Sequence, residues 1–291
     1  MAEAHAILES KLRQHSRLSN DDISAIRSLP YRTRELTANE DLIRQGDQPD
    51  VSALVLRGML ARYHLLPNGA RQYISFHFAG DLPDAQALFL DQMDHSVCAL
   101  GNATVASLPH RTLCRVFERQ PKLAFAIWRE TLIDAAIFRE AITNNGSRDP
   151  ATRMAHLFAE VFYRAEASRL TNDGTMDFPI SLVQLGETLG MSIATVNRAL
   201  AILRSSSSME FNGGKLEVFD GRRLAEIGQF DPSYLHLRAT QRLNKSLLQF
   251  IDTAGPRRDI EPTAKSDDHF RYCRVIRTGI DFAAGVLLFS S

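Results

Sequence analysis

Residues 181–204, SLVQLGETLGMSIATVNRALAILR, constrain this chain more than any other stretch. They read as two short helices joined at a corner. Ser181 is placed to cap the first, and Leu182, Leu185 and Leu189 recur at the spacing of one buried helix face. Gly190 permits the left-handed backbone that a sharp inter-helix turn requires. Ser192 caps the second helix, whose Val196, Leu200 and Leu203 face inward. Taken alone, helix–glycine–helix is equally the hairpin of an ordinary packed domain. The continuation raises its specificity: MEFNGGKLEVFD alternates on both sides of Asn212-Gly213-Gly214, which predicts a β-hairpin directly after the second helix. Helix, turn, helix and hairpin in that order predict a winged helix–turn–helix.

Inward placement of those leucines leaves Ile193, Ala194, Asn197, Arg198 and Ala201 outside. Small side chains beside one Asn and one Arg suit a helix lying close to a groove floor. Arg can make two hydrogen bonds to guanine, and Asn can do the same to adenine. Ser181, Gln184, Ser192 and Thr195 are candidates for phosphate contacts, and Lys215 on the hairpin adds a positive charge. Overall charge gives no help, because 34 basic and 34 acidic side chains cancel. Residues 148–238 alone hold ten Lys/Arg and eleven Asp/Glu. Arg198, Arg204, Lys215, Arg222 and Arg223 must therefore gather on one side for DNA to be held, and affinity for non-specific DNA is expected to be modest.

At 291 residues the chain exceeds a single domain of ~100–200 residues, so more than one is expected. Upstream, Gly46, Gly58, Gly69 and Gly80 punctuate short apolar runs such as SALVL (52–56) and QYISFHF (72–78). The second run alternates, with Ile74, Phe76 and Phe78 on one face. Asn68-Gly69 in LLPNGARQ tolerates the positive φ of a hairpin turn. Residues ~35–112 are thus predicted to form an antiparallel β-domain.

A helix is predicted from Pro121 to Thr143, since Pro121 suits a first helical turn and no glycine or proline follows before Ile142. Phe125, Trp128, Leu132, Ala135 and Ile142 form a seam of heptad-like spacing, interrupted by Arg139; Ile127, Ile133, Ile137 and Ala141 lie outside it. Such a helix needs two partners: the β-domain on one side and either a second copy or more of the same monomer on the other. The spacing favours a second copy. Asn145-Gly146 is expected to end the helix, and Pro150 to open the next, in which MAHLFAEVFYRAE reads as a short amphipathic helix. TNDGTMDFP reads as a connector, and the polar segment AGPRRDIEPTAKSDDH as a disordered linker or tail. Cys98, Cys114 and Cys273 lack metal or disulfide spacing and read as reduced, mostly buried thiols. No apolar run approaches the ~20 residues that span a bilayer, and no secretory signal opens the chain, so a soluble, cytoplasmic protein without membrane partners is expected.

The order of β-domain, long helix and winged module resembles the Crp/Fnr transcription regulators over residues ~20–237, most specifically in LGETLGMSIATVNRALAILR and the glycine-spaced β-domain. The resemblance implies phosphate contacts at Ser181 and Thr195 and base reading by Arg198. Ile193 and Ala194 replace polar base-reading residues of cyclic-AMP-responsive members, which implies a different DNA site. SSSS (205–208) replaces the charged, glycine-ended link usual before the wing. Within GDLPDAQALFLDQMDHS (80–96), Ala85 stands where the family's nucleotide-binding glutamate is expected and His95 where the arginine before Ser96 is expected. Asp84, Ala85, His95 and Ser96 thus mark the place of an effector pocket, and Asp91 and Asp94 would repel an anion. Cyclic AMP in the usual mode is not expected; a neutral or cationic ligand, or none, is. The first cysteine is Cys98, so the N-terminal cysteines of an oxygen-sensing iron–sulfur cluster are lacking. Haem on His77 or His95 would rest on a lone histidine, which is more often structural.

The expected fold is therefore α+β: an N-terminal antiparallel β-roll of the double-stranded jelly-roll kind (1–118), a dimerisation helix and hinge (119–147), a winged helix–turn–helix (148–237) and a tail (238–291). The expected function is a homodimeric, sequence-specific regulator with residues 192–204 in the major groove of double-stranded DNA. RNA polymerase and an unidentified small-molecule effector are further candidate partners. The alternative is a metabolite-sensing protein whose β-domain acts independently of transcription. No nucleophile–base pair, phosphate loop or metal spacing indicates an enzyme, a metal or a cofactor.

Overall fold

The computed structural model describes residues 3–237. The expectation of a tail over 238–291 lies outside the described residues, as does Cys273. Two helices, α1 (Glu3–His15) and α2 (Asn20–Arg27), precede the β-domain. Ser19 and Asp22 close a reciprocal capping box at the start of α2. Leu8, Leu12, Ile26 and Leu29 of this region share one apolar cluster with Leu54, Leu82, Leu108 and Leu123.

The β-domain contains β1 (Arg32–Leu36), β2 (Asp41–Ile43), β3 (Val51–Arg57), β4 (Met59–Leu65), β5 (Arg71–Phe78), β6 (Ser96–Ala99) and β7 (Ala103–Pro109). They form two antiparallel sheets, ordered β1-β7-β3 and β2-β6-β4-β5. The strands β4 and β5 pair from Met59↔Phe78 to Leu65↔Arg71 around the expected Asn68-Gly69 turn. Gly58 joins β3 to β4 at φ +77°, where an added Cβ would stand 2.3 Å from the Asn102 carbonyl, so only glycine fits. The strand β5 does not keep one wet face as its alternation suggests: Ser75 and His77 are buried along with Phe76 and Phe78. One side of it faces the roll, and the helices of the second half of the chain cover the other.

Helix α3 (His110–Arg119) leads into α4 (Pro121–Ser147). Ala126, Ile127, Ile133, Ala136 and Ile137 are buried, while Phe125, Trp128, Leu132 and Ile142 are exposed. The two-faced helix expected from the sequence is what the chain forms. Its end differs: α4 runs through Asn145-Gly146 to Ser147. The stop comes from downstream, because a residue before proline avoids helical backbone. Asp149 is extended and caps α5 (Pro150–Ala167) by accepting from Ala151 N and Thr152 N. Helix α5 is buried on nearly every side, rather than being amphipathic.

The remaining elements are β8 (Thr175–Asp177), α6 (Leu182–Leu189), α7 (Ile193–Ser205), β9 (Met209–Asn212), β10 (Lys215–Val218) and α8 (Gly221–Gly228). The connector TNDGTMDFP proves to carry β8, which pairs with β10 as the third strand of the wing in the order β8-β10-β9. Phe158, Leu185, Val196, Leu200, Leu203, Phe211 and Leu216 form the core of this half. That core is continuous with Tyr73, Phe76 and Phe78 of β5, and the Phe76 and Phe178 rings meet edge-on at 5.2 Å. Of the cysteines, Cys98 is buried and its thiol is pushed up to about 11 by that burial, whereas Cys114 is exposed, contrary to expectation. No helix among the described residues is long and apolar enough to cross a membrane.

Candidate nucleic-acid interface

Local chemistry builds the corner between α6 and α7. Ser181 Oγ accepts from Gln184 N at 3.2 Å, and Gln184 Oε1 accepts from Ser181 N at 2.9 Å. Gly190 ends α6 in the left-handed region at φ +63°. A second glycine, which sequence reading passed over, sets how tightly the corner closes. A Cβ on Gly186 would stand 2.6 Å from the Met191 carbonyl.

Val196, Ala199, Leu200 and Leu203 bury the inner side of α7. Ile193, Ala194, Asn197, Arg198 and Ala201 are all exposed, as predicted from spacing. Along the leading edge the side chains are tied together. Ser192 Oγ accepts from Thr195 N at 3.2 Å and lies 3.0 Å from Thr195 Oγ1, which accepts from Arg198 Nη2 at 3.0 Å. This row holds the guanidinium over the exposed face.

Behind α7, the serine run makes the link to the wing. Ser207 takes a left-handed φ of +53° without being glycine, and Ser206 Oγ donates to Leu203 O at 2.6 Å. Buried Ser208 accepts Phe219 N and Asp220 N through its carbonyl. Arg204 is a strut rather than a free charge: it donates to Glu210 Oε1 at 2.8 Å and Phe211 O at 2.9 Å, fixing β9 to α7. Lys215, at the start of β10, is exposed. Arg223 lies 3.6 Å from Glu226.

The phosphate candidates divide. Ser192 and Thr195 sit with Arg198 at the start of α7. Ser181 and Gln184 instead line a cleft of about 390 Å³ with Asn39, Arg71 and Tyr73 of the β-domain. Gln184 Nε2 donates to Tyr73 Oη at 3.0 Å, so its amide is already engaged on both sides. Gln72 Nε2 donates to the Glu187 carbonyl, adding a second tie between β5 and α6.

Residues 152–227 match the model of the Crp-like helix-turn-helix domain, and residues 33–120 that of the cyclic nucleotide-binding domain. Together they span more than half of the chain. The chain belongs to the Crp/Fnr family of transcription regulators. It is 25% identical over 171 residues to a probable transcriptional activator of Rhizobium leguminosarum bv. viciae, across 59% of this chain and 70% of that protein. It is 23% identical over 225 residues to the nitrogen fixation regulation protein FixK of Bradyrhizobium diazoefficiens, across 77% and 94%. The solved structure of FixK2 from Bradyrhizobium japonicum shares the fold, with a TM-score of 0.61 and 22% identity over 68% of this chain and 98% of that one.

In this Crp/Fnr protein the expected effector corner at 80–96 is filled by the chain's own side chains. Asp84, fully buried, accepts from Ala53 N through both oxygens at 2.9 and 3.0 Å. Burial pushes its carboxyl up to about 7, against the pull of the Ala53 N–H and the Arg62 charge. Ala85 is buried at the start of a 3₁₀ turn, Ala85–Leu88. Ser96 Oγ accepts from Gln45 N at 3.0 Å. His95 is held below its ordinary pKa by burial and by Arg62, which outweigh Asp94. Because the Asp94 carboxylate can only accept and the Gln86 amide nitrogen can only donate, His95 donates from Nδ1 to Asp94 at 2.7 Å and accepts at Nε2 from Gln86 at 3.1 Å. Sequence reading, which found both charged anchors absent, missed Arg62. This residue reaches the corner from β4, fully buried, and donates to Pro83 O at 2.6 Å and to Asp134 on α4 at 2.8 Å. Its signal was a lone arginine inside the apolar run MLARYHL. Burial also lowers His77 well below its ordinary value, and Ser75 Oγ lies 2.9 Å from its Nε2.

Proposed function

We propose that this protein is a homodimeric, sequence-specific transcription regulator that lays α7 in the major groove of DNA. One observation carries the reading. The exposed face of α7 combines small side chains with Asn197 and with an Arg198 already tethered by Thr195. A guanidinium held in place loses less freedom on binding than a free one, and its planar fork matches O6 and N7 of guanine. Asn197 is the corresponding reader for adenine. The N-terminal amides of α7, with Ser192 and Thr195, suit a phosphate beside the groove, and Lys215 suits a phosphate reached by the wing. Ser181 is available to a second phosphate only on the side that α6 shares with the β-domain.

The exposed seam of α4 supports pairing of two subunits about a two-fold axis. A pseudo-palindromic site then follows, with half-sites roughly 34 Å apart. Selection of sequences from a random DNA pool tests the reading. The filled corner at 80–96 supports a β-domain that takes no cyclic nucleotide in the family's usual mode. Titration calorimetry with cyclic AMP should show no heat of binding at micromolar protein, and tight binding would overturn that part alone.

A further inference from the structure

Phe89, Leu90, Phe125 and Trp128 stand 59, 51, 39 and 49% exposed. Phe89 and Leu90 follow the 3₁₀ turn of the 80–96 corner, and the two aromatic residues lie near the start of α4. They line one groove of about 440 Å³, completed by Gln86, Ala124 and Thr131 and carrying no charged residue. Aromatic and aliphatic groups without charge are the composition of an interface core rather than of a solvated surface. Phe125 and Trp128 belong at once to this groove and to the α4 seam, so whatever covers the seam also meets Phe89 and Leu90.

We propose that the groove is a second element of the subunit interface, in which Phe89 and Leu90 grip the first turns of α4 from a second copy; this rests on the dimeric reading above. Two-fold symmetry about the seam sets each subunit's Phe125 and Trp128 level with the other's, so each pair is delivered as a knob to its partner's groove. The seam is broken by Arg139, and a specific, stable interface buries roughly 800 Å² per partner. Phe89 and Leu90 widen it at the end of α4 opposite its junction with α5. The same contact reaches the interior, because Gln86 lies in the groove and bonds to His95. A segment of 80–96 that a nucleotide-binding relative would use for its ligand serves here to hold the partner subunit.

Trp128 is the only tryptophan, so its emission reports on this groove directly. Sedimentation equilibrium and Trp128 emission are to be followed against protein concentration for the full chain, for Leu132→Glu in the seam, for Phe89→Ser/Leu90→Ser, and for Phe219→Ser as an exposed apolar control elsewhere. The expected result is a concentration-dependent blue shift in the full chain, and dimer dissociation at least about tenfold weaker in the double variant. Phe219→Ser and the conservative Leu90→Met should leave the dimer unchanged. A double variant that dimerises as tightly as the full chain, while Leu132→Glu is monomeric, overturns this inference and leaves the seam standing. A full chain that stays monomeric overturns the dimeric reading as well. A Trp128 emission that stays blue-shifted in monomeric Leu132→Glu places something other than a second copy in the groove, and also overturns the inference.

Discussion

At the scale of single residues, the exposed face of α7 follows from spacing alone, whereas what its side chains touch does not. Position on a helix is a local property, so Asn197 and Arg198 could be placed outside from the leucine pattern. The tether from Thr195 to Arg198 sharpens the expectation for that arginine. Arg198→Ala should weaken specific binding by about 1–3 kcal/mol and relax preference at one base pair, while binding to scrambled DNA changes little. Fluorescence anisotropy on both DNAs would check this; equal losses on both would reduce Arg198 to a phosphate contact. Arg62 and Asp84 show the opposite case, in which no local pattern announces that tertiary contacts bury a charged residue. Because the Asp84 carboxyl sits at about 7 when folded and near 4 when unfolded, the folded state binds the extra proton between those values. Its contribution to stability is therefore full below about pH 4 and is lost as pH rises through about 7. Asp84→Asn keeps an acceptor for Ala53 N and removes that loss. Denaturant midpoints should fall less between pH 5 and 8 in the variant than in the parent, and parallel profiles would contradict the assignment.

At the scale of elements, capping residues and one turn glycine make α6, α7 and the hairpin legible in the amino-acid sequence itself. Less is visible where an element depends on a distant partner. Strand β8 is three residues long, too short for alternation to register, and exists because β10 supplies its hydrogen bonds. Helix α4 outruns Asn145-Gly146 because the cap at Asp149 and the ring of Pro150, not a weak helix former, set the boundary. Two substitutions should move the winged module's stability in opposite directions. Gly186→Ala drives a methyl against the Met191 carbonyl and should cost about 1–3 kcal/mol. Ser207→Gly relieves a left-handed serine and should gain about 1 kcal/mol. Chemical denaturation followed by circular dichroism separates them; a neutral Gly186→Ala would mean the corner relaxes more freely than its packing indicates.

At the scale of the whole molecule, the described residues form domains that share one core, a feature no local pattern announces. Tyr73 and Phe76 of the β-domain pack with Phe178 and Leu185 of the winged half. Charges add a second tie. Asp81 receives Lys11 of α1 at 2.8 Å and Arg164 of α5 at 3.2 Å. Burial alone would raise its carboxyl, but those two cations outweigh it and hold it well below the usual carboxylate range. Asp81, at the start of the 80–96 segment, is thus the point where α1, the β-roll and α5 meet. A body joined in this way sets where α7 stands relative to the α4 seam, and so where two copies of α7 would stand relative to each other.

Spacing between the two recognition helices is accordingly the quantity on which the proposed function turns. Selection from a random DNA pool by the full-length protein measures it most directly. The expected result is an enriched pseudo-palindrome whose half-sites lie about one helical turn apart, roughly 10 base pairs, with the enrichment at one base pair of each half-site lost in Arg198→Ala. A pool from which no motif emerges would contradict a sequence-specific regulator.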